Sequence, residues 1–385
     1  MNIEEKPKDA KKKILIASDA FLPRWDGVSR FLNEIIPRIS EDSDISVAAP
    51  DYKGEFMGYE NVTITRFPLR KFKVADYTLC KPSYRKIKEL VKGCDIVWAQ
   101  SIGPVGAFAV MAARRQEKPV IAYVHSIEWE LFPRSLSVKR FYKRFVYFCT
   151  RYWARFIYNK CDLLMVPSSE VGDIFTMQGI TTPKRVIHLG TDAEKFMPPL
   201  SKELAKEAIG ISPNKRVIGF CGRIGLEKDI LTLFRAYVRL HRKYRDTVLL
   251  IVGQDEGNSI KRLPKRNDVI IVGFTNNVVK YLQALDIYVL PSLTETTSLS
   301  TLEAMSCETA VVATPVGYVK EYIKNGYNGF LFPKKDSYKL FMKLEKLLID
   351  ENLRKEMAKN ARKTVISKFS WEDTTRRIKE AFDIF

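Results

Sequence analysis

Short runs of apolar residues alternate along this chain with longer amphipathic stretches. Many of the runs are rich in β-branched residues and continuously apolar, as strands buried on both faces of a parallel sheet are. They lie at residues 14–18, 45–49, 95–99, 120–124, 163–167, 217–221, 248–252, 269–273, 286–290 and 310–314. The amphipathic stretches between them suit crossover helices, so the sequence predicts an α/β fold.

One polar stretch breaks this alternation. Residues 190–215 contain prolines, and the pattern of strands and helices starts again after them. The chain therefore predicts two wound sheets, one on each side of this stretch. Because such sheets bind ligands at the carboxyl ends of their strands, the residues just after each apolar run are the candidates for chemistry.

The composition is that of a globular protein with an excess of positive charge. The 385 residues include 64 Lys and Arg against 45 Asp and Glu, a net charge of +19. Such an excess favours an anionic partner: a phosphorylated substrate, an acidic lipid surface or nucleic acid. No secretory signal and no apolar stretch of the roughly 18 residues needed for a spanning helix occur, so we expect a cytoplasmic protein.

Several common kinds of site are excluded. The six cysteines form no CxxC pair and the chain has three histidines, so no zinc-site spacing occurs. The loop after the first run has only Gly27 where a dinucleotide fold shows GxGxxG, and no GxxxxGK(S/T) phosphate loop exists. The sequence Asp42-Ser43-Asp44 resembles a metal-binding DxD motif, but it precedes a strand and is interpreted as a solvated loop. We expect no metal and no cofactor.

Two cations follow the first strand of the second half. Arg223 and Lys228 lie in the sequence GRIGLEK, directly before a predicted amphipathic helix. Arg offers a rigid fork to phosphate oxygens and Lys a mobile charge, while N–H groups at a helix start add partial positive charge. Solvated loop cations are the alternative, but the position at a strand's carboxyl end favours a diphosphate site.

Two glutamates follow the apolar run at residues 286–290. Glu295 and Glu303 are separated by seven residues, on either side of a predicted helix start. Glu295 thus lies in a loop where it can meet a sugar, and the Glu303 carboxylate lies within the helix, where it suits a ribose diol. Between them, N–H groups are placed to bind a β-phosphate, those of Thr297, Ser298 and Leu299.

As a set, these motifs resemble the retaining glycosyltransferases of family four. The resemblance covers almost the whole chain and rests on FLPRWDGV, AYVHS, HLGTDAEKF, GRIGLEK, the two glutamates and the terminal FSWEDTTRRI. It implies the GT-B fold, two Rossmann-like domains that face each other across a cleft. The acceptor-binding domain would comprise residues 1–193 with a returning helix at 370–385, and the donor-binding domain residues 194–369.

The resemblance also assigns roles to the donor-binding residues. Gly27 would close on the donor phosphate, and Arg223 and Lys228 would neutralise the diphosphate. Glu295 would contact the donor sugar and Glu303 the ribose.

It further implies the nucleobase contacts and the reaction. Backbone groups of Phe274 and Thr275, in the sequence GFTNN, would touch the base. His125 would lie at the donor sugar or the reaction centre and act with Arg223, Lys228 and Glu295. The implied reaction is transfer of a hexose from a UDP- or GDP-linked donor to an acceptor hydroxyl, with retention and without a metal.

Three positions depart from the family pattern. Asp26 stands where the family usually has the first of two glycines. Residues 296–298, Thr-Thr-Ser, replace Gly-Phe-Gly, so the phosphate turn must form without glycine's freedom at positive φ. Glu308 replaces a glycine after the following helix, where only a helix end should change.

A basic and aromatic segment covers residues 133–160. It contains no acidic residue and predicts a strongly amphipathic helix. One face is an aromatic stripe of Phe141, Phe145, Phe148, Tyr152 and Phe156. The stripe either packs on the sheet, as in an ordinary crossover helix, or the helix lies on an anionic membrane beside a lipid acceptor.

The prediction is therefore a glycosyltransferase acting on a lipid-linked acceptor, peripheral on the inner face of the cell membrane. The TET sequence at residues 294–296 is also similar to prokaryotic diacylglycerol glucosyltransferases. The alternatives are the same chemistry on a soluble or polysaccharide acceptor, a nucleotide-sugar 2-epimerase of the same fold, and a nucleic-acid-binding protein. We expect no nucleic-acid partner.

Overall fold

A computed structural model describes residues 11–74, 77–136, 138–255 and 258–385. The chain forms two compact units. The first comprises Met1–His125, Phe148–Ile187 and Thr375–Phe385, and the second Ser126–Tyr147 and His188–Thr374.

The first unit contains a seven-stranded parallel sheet and a separate antiparallel hairpin. Its strands are β1 (Lys12–Ala17), β2 (Ser43–Pro50), β3 (Thr63–Phe67), β4 (Leu69–Val74), β5 (Tyr77–Cys80), β6 (Ile96–Ala99), β7 (Val120–Tyr123), β8 (Leu163–Val166) and β9 (Lys184–Val186). The sheet order is β3-β2-β1-β6-β7-β8-β9, and β4 pairs with β5.

The second unit contains a six-stranded parallel sheet. Its strands are β10 (Arg216–Cys221), β11 (Thr247–Val252), β12 (Val269–Val272), β13 (Ile287–Leu290), β14 (Ala310–Ala313) and β15 (Phe330–Leu331), in the order β12-β11-β10-β13-β14-β15. In both sheets the order reverses beside the first strand, between β1 and β6 and between β10 and β13. Ligands of doubly wound sheets bind outside such reversal points.

The helices connect the strands and cover the sheets. They are α1 (Gly27–Ile39), α2 (Tyr84–Lys92), α3 (Pro104–Arg115), α4 (Glu128–Ser135), α5 (Arg140–Tyr158), α6 (Ser169–Met177), α7 (Lys202–Glu207), α8 (Ile230–Lys243), α9 (Val279–Ala284), α10 (Leu299–Ser306), α11 (Val319–Tyr322), α12 (Ser337–Ile349), α13 (Glu351–Lys368) and α14 (Trp371–Phe382). Short 3-10 helices cover Leu226–Lys228 and Ile260–Arg262.

The burial of the strands explains why their sequences are continuously apolar. Every residue of β6, β7, β8, β13 and β14 is buried, so both faces of these central strands are covered. Each predicted apolar run forms a strand of one of the two parallel sheets. The predicted fold class, α/β with two Rossmann-like domains, is confirmed. The sequence patterns did not indicate β3, β4, β5, β9 or β15.

The boundaries of the compact units differ from those of the predicted domains. The chain passes from the first unit to the second after Ile187 and returns after Thr374, and residues 126–147 belong to the second unit. The boundaries at residues 193 and 370 stay predictions. The segment 133–160 forms parts of α4 and α5 instead of one helix, and Ser43 and Asp44 open strand β2 instead of lying in a loop.

Candidate functional site

The loop after β10 makes close backbone contacts at the reversal point of the second sheet. Gly222 has φ +149° and Gly253 has φ +142°, and a Cβ built on Gly253 would lie 1.9 Å from the Gly222 carbonyl oxygen. Glycine is required at this crossing because the two strand ends nearly touch. The close contact between Gly222 and Gly253 fixes the backbone position of Arg223, the next residue after Gly222.

Arg223 forms an ion pair with Glu227 within this loop. The Glu227 side chain is only 2% exposed, whereas that of Arg223 is 22% exposed. A Cβ on Gly225 would lie 2.3 Å from a Glu227 carboxylate oxygen, so Gly225 leaves the space that this carboxylate occupies. The guanidinium thus has one anchored side and remains partly open to solvent.

Lys228 forms an ion pair with Glu295, which follows β13. The Ser292 hydroxyl donates a hydrogen bond of 2.8 Å to the same Glu295 oxygen. Both partners are largely buried, with side chains 17% and 11% exposed. The predicted phosphate-binding lysine and the predicted sugar-binding carboxylate are therefore brought together.

The loop that carries Glu295 is held by backbone hydrogen bonds from several sides. The Leu293 N–H donates to the Glu227 carbonyl at 2.7 Å, and the Tyr318 N–H donates to the Thr296 carbonyl at 2.8 Å. Gly317 has φ +48°, and a Cβ there would lie 2.1 Å from the Glu295 carbonyl oxygen. The loop has little freedom to shift.

The residues after Glu295 lead into α10. Ser298 is the N-cap residue, in extended conformation, and its hydroxyl accepts from Thr301 Oγ1 at 2.8 Å. Residues 296–298 are absent from the non-glycine residues with positive φ in the described part of the chain. The turn thus forms at ordinary φ, so Thr-Thr-Ser occupies it without the backbone freedom of glycine. Glu303 lies within α10 and is 3% exposed.

Two other predicted positions lie along the same sheet. Phe274 and Thr275 follow β12, and the Phe274 side chain is 52% exposed. The Thr275 hydroxyl accepts a hydrogen bond of 3.1 Å from the Asn277 N–H. Glu308 adopts φ +54° after α10, a left-handed helix end of the kind that favours glycine.

Gly27 and His125 lie in the first unit. Gly27 is the first residue of α1, and a Cβ built there meets no atom within 4 Å. Asp26 caps this helix by accepting from the Val28 and Ser29 N–H groups, each at 3.0 Å, which gives the departure from glycine a structural role.

The His125 ring follows β7 and packs against the rings of Phe31 and Tyr123, at centroid distances of 4.9 Å and 4.6 Å. Its Nε2 atom lies 2.9 Å from Gln100 Oε1. Burial lowers the pKa of His125 to about 3, so the imidazole is neutral near pH 7. A neutral ring suits hydrogen bonding to a hydroxyl better than electrostatic pairing with phosphate.

Comparison with known proteins identifies the family from both halves of the chain. The model described as glycosyltransferase family 4 matches residues 25–195, and that described as glycosyl transferases group 1 matches residues 201–364. The chain belongs to the group-1 glycosyltransferases of family four. It is an enzyme of the glycosyltransferase class.

Individual relatives agree over nearly the full length. An uncharacterized glycosyltransferase of Methanocaldococcus jannaschii is 26% identical over 97% of this chain and 98% of its own length. The UDP-Gal:alpha-D-GlcNAc-diphosphoundecaprenol alpha-1,3-galactosyltransferase of Escherichia coli is 27% identical, with the same two coverages. The Anabaena protein HepE, solved in complex with UDP and glucose, has a TM-score of 0.79 at 19% identity and covers 98% of this chain and 100% of its own.

In this glycosyltransferase, sequence reasoning missed two carboxylates that follow strands of the sheets. Glu227 is the partner of Arg223, and Asp19 follows β1 in the first unit. Asp19 accepts from Ser101 Oγ at 2.6 Å and from the N–H groups of Val105 and Gly106 at 2.9 Å and 3.2 Å. Burial raises the Asp19 pKa, while these hydrogen bonds act in the opposite direction. Its position directly after a strand was the available signal.

The aromatic stripe of α5 is exposed in this glycosyltransferase. Phe141 is 77% exposed, Phe145 63% and Tyr152 74%, whereas the buried residues of the helix are Ala154, Ile157 and Tyr158. The interpretation that the stripe packs on the sheet is therefore wrong.

Two other features are absent from the described ranges. No group of three or more His, Cys, Asp or Glu side chains there is arranged to hold a metal ion. No helix in the same ranges is long and apolar enough to cross a bilayer.

Proposed function

We propose that this glycosyltransferase moves a hexose from a UDP- or GDP-linked donor to a hydroxyl of a lipid-linked acceptor, with retention of configuration. The observation that carries the proposal is the pair of ion pairs Arg223–Glu227 and Lys228–Glu295 at the reversal point of the second sheet. Both ion pairs lie where a doubly wound sheet binds its ligand, which supports Arg223 and Lys228 as the diphosphate-binding cations and Glu295 as the sugar-binding carboxylate.

The donor site is assigned to the second unit. Arg223 and Lys228 bind the diphosphate, assisted by the N–H groups of Thr297, Ser298 and Leu299 near the start of α10. Glu303 accepts hydrogen bonds from the ribose, and backbone groups of Phe274 and Thr275 meet the base. Gly27 approaches the phosphate from the first unit's helix start.

Binding of the diphosphate exchanges ion-pair partners. In the structure each cation already has a carboxylate partner, so the phosphate oxygens replace or share these contacts. When Lys228 turns to the phosphate, the Glu295 carboxylate is released to accept a hydrogen bond from a sugar hydroxyl. The two events are coupled because one lysine serves both.

The charge that develops on the departing diphosphate is stabilised by Arg223 and Lys228, so the protein supplies the function that a metal ion has in other transferases. We propose front-face substitution, in which the departing phosphate accepts the proton of the acceptor hydroxyl. The neutral His125 donates or accepts a hydrogen bond at the donor sugar. No carboxylate is assigned as a nucleophile.

The lipid acceptor and the membrane are inferred from α5. Its aromatic side chains are exposed, and residues 139–156 carry Lys and Arg without any acidic residue. Aromatic rings that partition into the interfacial region, beside cations that attract anionic lipid, suit a helix lying in the membrane surface. The relative from Escherichia coli is named for a diphosphoundecaprenol acceptor. We therefore place the protein at the inner face of the cell membrane.

The donor and the stereochemistry are tested by supplying UDP- and GDP-hexoses together with lipid extracts. Products are identified by mass spectrometry, and NMR compares the anomeric configuration of product and donor. Transfer with the donor's configuration is expected. Inverted product, or donor hydrolysis with no glycosylated lipid in any extract, would contradict the corresponding part of the proposal.

The membrane part is tested by flotation with anionic vesicles. Changing Lys139, Arg140, Lys143 and Arg144 to Gln should weaken binding by about three decades at most, since each cation contributes on the order of 1 kcal/mol near an anionic surface. A control with the same charge change uses exposed lysines of α13: Lys355, Lys359, Lys363 and Lys368. Equal losses in both variants would show only a general charge effect and would reject α5 as the docking surface.

A further inference from the structure

Helix α4 follows His125 almost directly in the chain, yet it lies in the unit that contains the proposed donor site. It contacts the 3-10 helix at Leu226–Lys228, which carries the predicted phosphate-binding lysine. Trp129 and Glu128 are 1% and 5% exposed, so one face of the helix is firmly packed. Helix α4 is therefore a fixed neighbour of the loops that hold Lys228 and Glu295.

The two peptide groups that flank the Leu293 Cα are both held by hydrogen bonds. Its N–H donates to the Glu227 carbonyl at 2.7 Å, and its carbonyl accepts a hydrogen bond from Arg134 Nη1 of α4. The other terminal nitrogen of Arg134 lies 3.1 Å from Glu130 Oε2, one helical turn earlier. A single guanidinium thus joins α4 to the loop that carries Glu295.

We propose that Arg134 is a positioning residue for the sugar-binding loop of this enzyme. The inference rests on the proposed function, because it concerns how Glu295 is aimed at the donor sugar. Leu293 lies two residues before Glu295, so a rotation of the Leu293–Thr294 peptide group, whose carbonyl Arg134 holds, moves the Glu295 backbone. Arg134 resists that rotation while remaining outside the predicted contacts to the nucleotide.

The guanidinium suits this task better than an ammonium group. Its planar fork binds the carbonyl with one nitrogen and Glu130 with another, so the position of the side chain is set before the carbonyl is bound. A charged donor to a carbonyl also makes a stronger hydrogen bond than a neutral one. A lysine at position 134 would keep the positive charge but could not bind the carbonyl and Glu130 with two nitrogens of one planar group.

This role predicts a division between binding and turnover. Arg134→Met should lower kcat by about ten- to a hundredfold, the scale of a lost charged hydrogen bond or a displaced reacting group. Affinity for bare UDP or GDP should stay within about twofold, because the predicted phosphate and ribose contacts do not involve Leu293. Arg134→Lys should recover part of the lost turnover.

Hydrogen exchange provides a readout that does not depend on activity. In Arg134→Met, the peptide amides around Leu293 and Glu295 should exchange about tenfold faster, because one of the two restraints on that backbone is gone. The matched control is Arg85→Met in α2. This variant also removes an ion pair between residues four apart on a helix, the one between Arg85 and Glu89. Exchange in the 293–295 region should be unchanged in the control.

The outcomes separate this inference from the proposed function. If the wild-type protein transfers no sugar, the proposed function fails, and the exchange comparison still decides whether Arg134 restrains the loop. Unchanged exchange and turnover in Arg134→Met would overturn the inference, as would an equal loss of bare-nucleotide affinity. Thermal melting checks folding, and Arg134→Lys takes over the same measurements if the Met variant does not fold.

Discussion

The two sheets have corresponding strand orders, yet the residues at their reversal points differ in charge. After β10 and β13, Arg223 and Lys228 form ion pairs with Glu227 and Glu295. After β1 the Asp19 carboxylate is held by a hydroxyl and two N–H groups. The neutral His125 follows β7, one strand beyond the reversal point, and its Nε2 lies 2.9 Å from Oε1 of Gln100, which follows β6. The same topology thus offers cations at one sheet and hydrogen-bonding groups at the other.

This difference shows that the loops, and not the sheets, decide which ligand each unit is suited to bind. In the first unit, Asp26 and Asp19 are used to hold helix starts, α1 and α3 respectively. In the second unit the carboxylates of Glu227 and Glu295 instead form ion pairs with Arg223 and Lys228, two cations that can also bind phosphate. The proposed division follows, with the diphosphate at the second sheet and acceptor chemistry at the first.

The largest expected effect tests the cations of the second unit. Lys228→Ala should raise the transition-state barrier by roughly 3 kcal/mol, which is about a hundredfold loss of kcat/KM, by analogy with the loss of one preorganised charge-stabilising donor. EDTA should leave transfer intact. The control is Lys265→Ala, an exposed lysine of the same unit.

Kinetics with and without the chelator decide this point. Full activity of Lys228→Ala would remove the charge contrast between the two sheets as a functional difference. Loss of transfer in EDTA, restored by a divalent cation, would assign the diphosphate to a metal instead.

Two glycines at corresponding loops give a matched pair of variants. Gly225→Ala forces the packed Glu227 carboxylate to move and should lower the free energy of unfolding by about 1–3 kcal/mol, as overpacking does. Gly27→Ala meets open space at a helix start, so stability should be kept or slightly raised. If Gly27 closes on the donor phosphate, its variant loses activity while remaining stable.

Thermal melting and turnover, measured together, sharpen the contrast. A stable and fully active Gly27→Ala would reject the backbone approach to phosphate at that position. An unchanged melting temperature in Gly225→Ala would show that Glu227 has room to move, contrary to its packing.

Much of the fold was available from the sequence because buried parallel strands must be continuously apolar. The same logic located Arg223, Lys228 and Glu295, since each follows such a run closely. The edge strands β3, β9 and β15 were missed because they are short or partly exposed and lack that signature. Sequence position therefore predicts the central strands and the loops that they end in.

The partners within the site were not predictable in the same way. Glu227 stands next to Lys228 in the chain, but only the turn of the 3-10 helix directs it to Arg223. Arg134 and Leu293 are far apart in the chain, so no local pattern joins them. For α5, periodicity gave the aromatic stripe, but it does not say whether a neighbour covers that stripe.

A smaller effect distinguishes the two glutamates after β13. Glu303→Ala should lower the affinity for bare UDP or GDP by about tenfold, which is the scale of the loss when hydrogen bonds to a charged group are removed. Glu295→Ala should keep that affinity or slightly increase it, because Lys228 loses its carboxylate partner and is free for phosphate. Turnover should fall in both variants.

Calorimetry with bare nucleotide separates these cases. Glu308→Ala is the control, since it removes a carboxylate after the same helix. Equal losses of nucleotide affinity in Glu295→Ala and Glu303→Ala would reject the assignment of one to the sugar and the other to the ribose.

The smallest expected effect concerns the neutral histidine of the first unit. Burial lowers the folded-state pKa of His125 to about 3, below the ordinary value of about 6.5. Between these values the unfolded chain binds more protons, so the stability associated with neutral His125 is present above pH 6.5 and is lost as the pH falls through that range. At pH 6 the loss should be only about 1 kcal/mol. His125→Asn should flatten this part of the stability curve, measured by denaturant unfolding between pH 5 and 8. A wild-type stability curve that is flat over this pH range would mean that His125 titrates as it does in the unfolded chain. The contrast between a neutral hydrogen-bonding group at the first sheet and ion pairs at the second would then lose its strongest support.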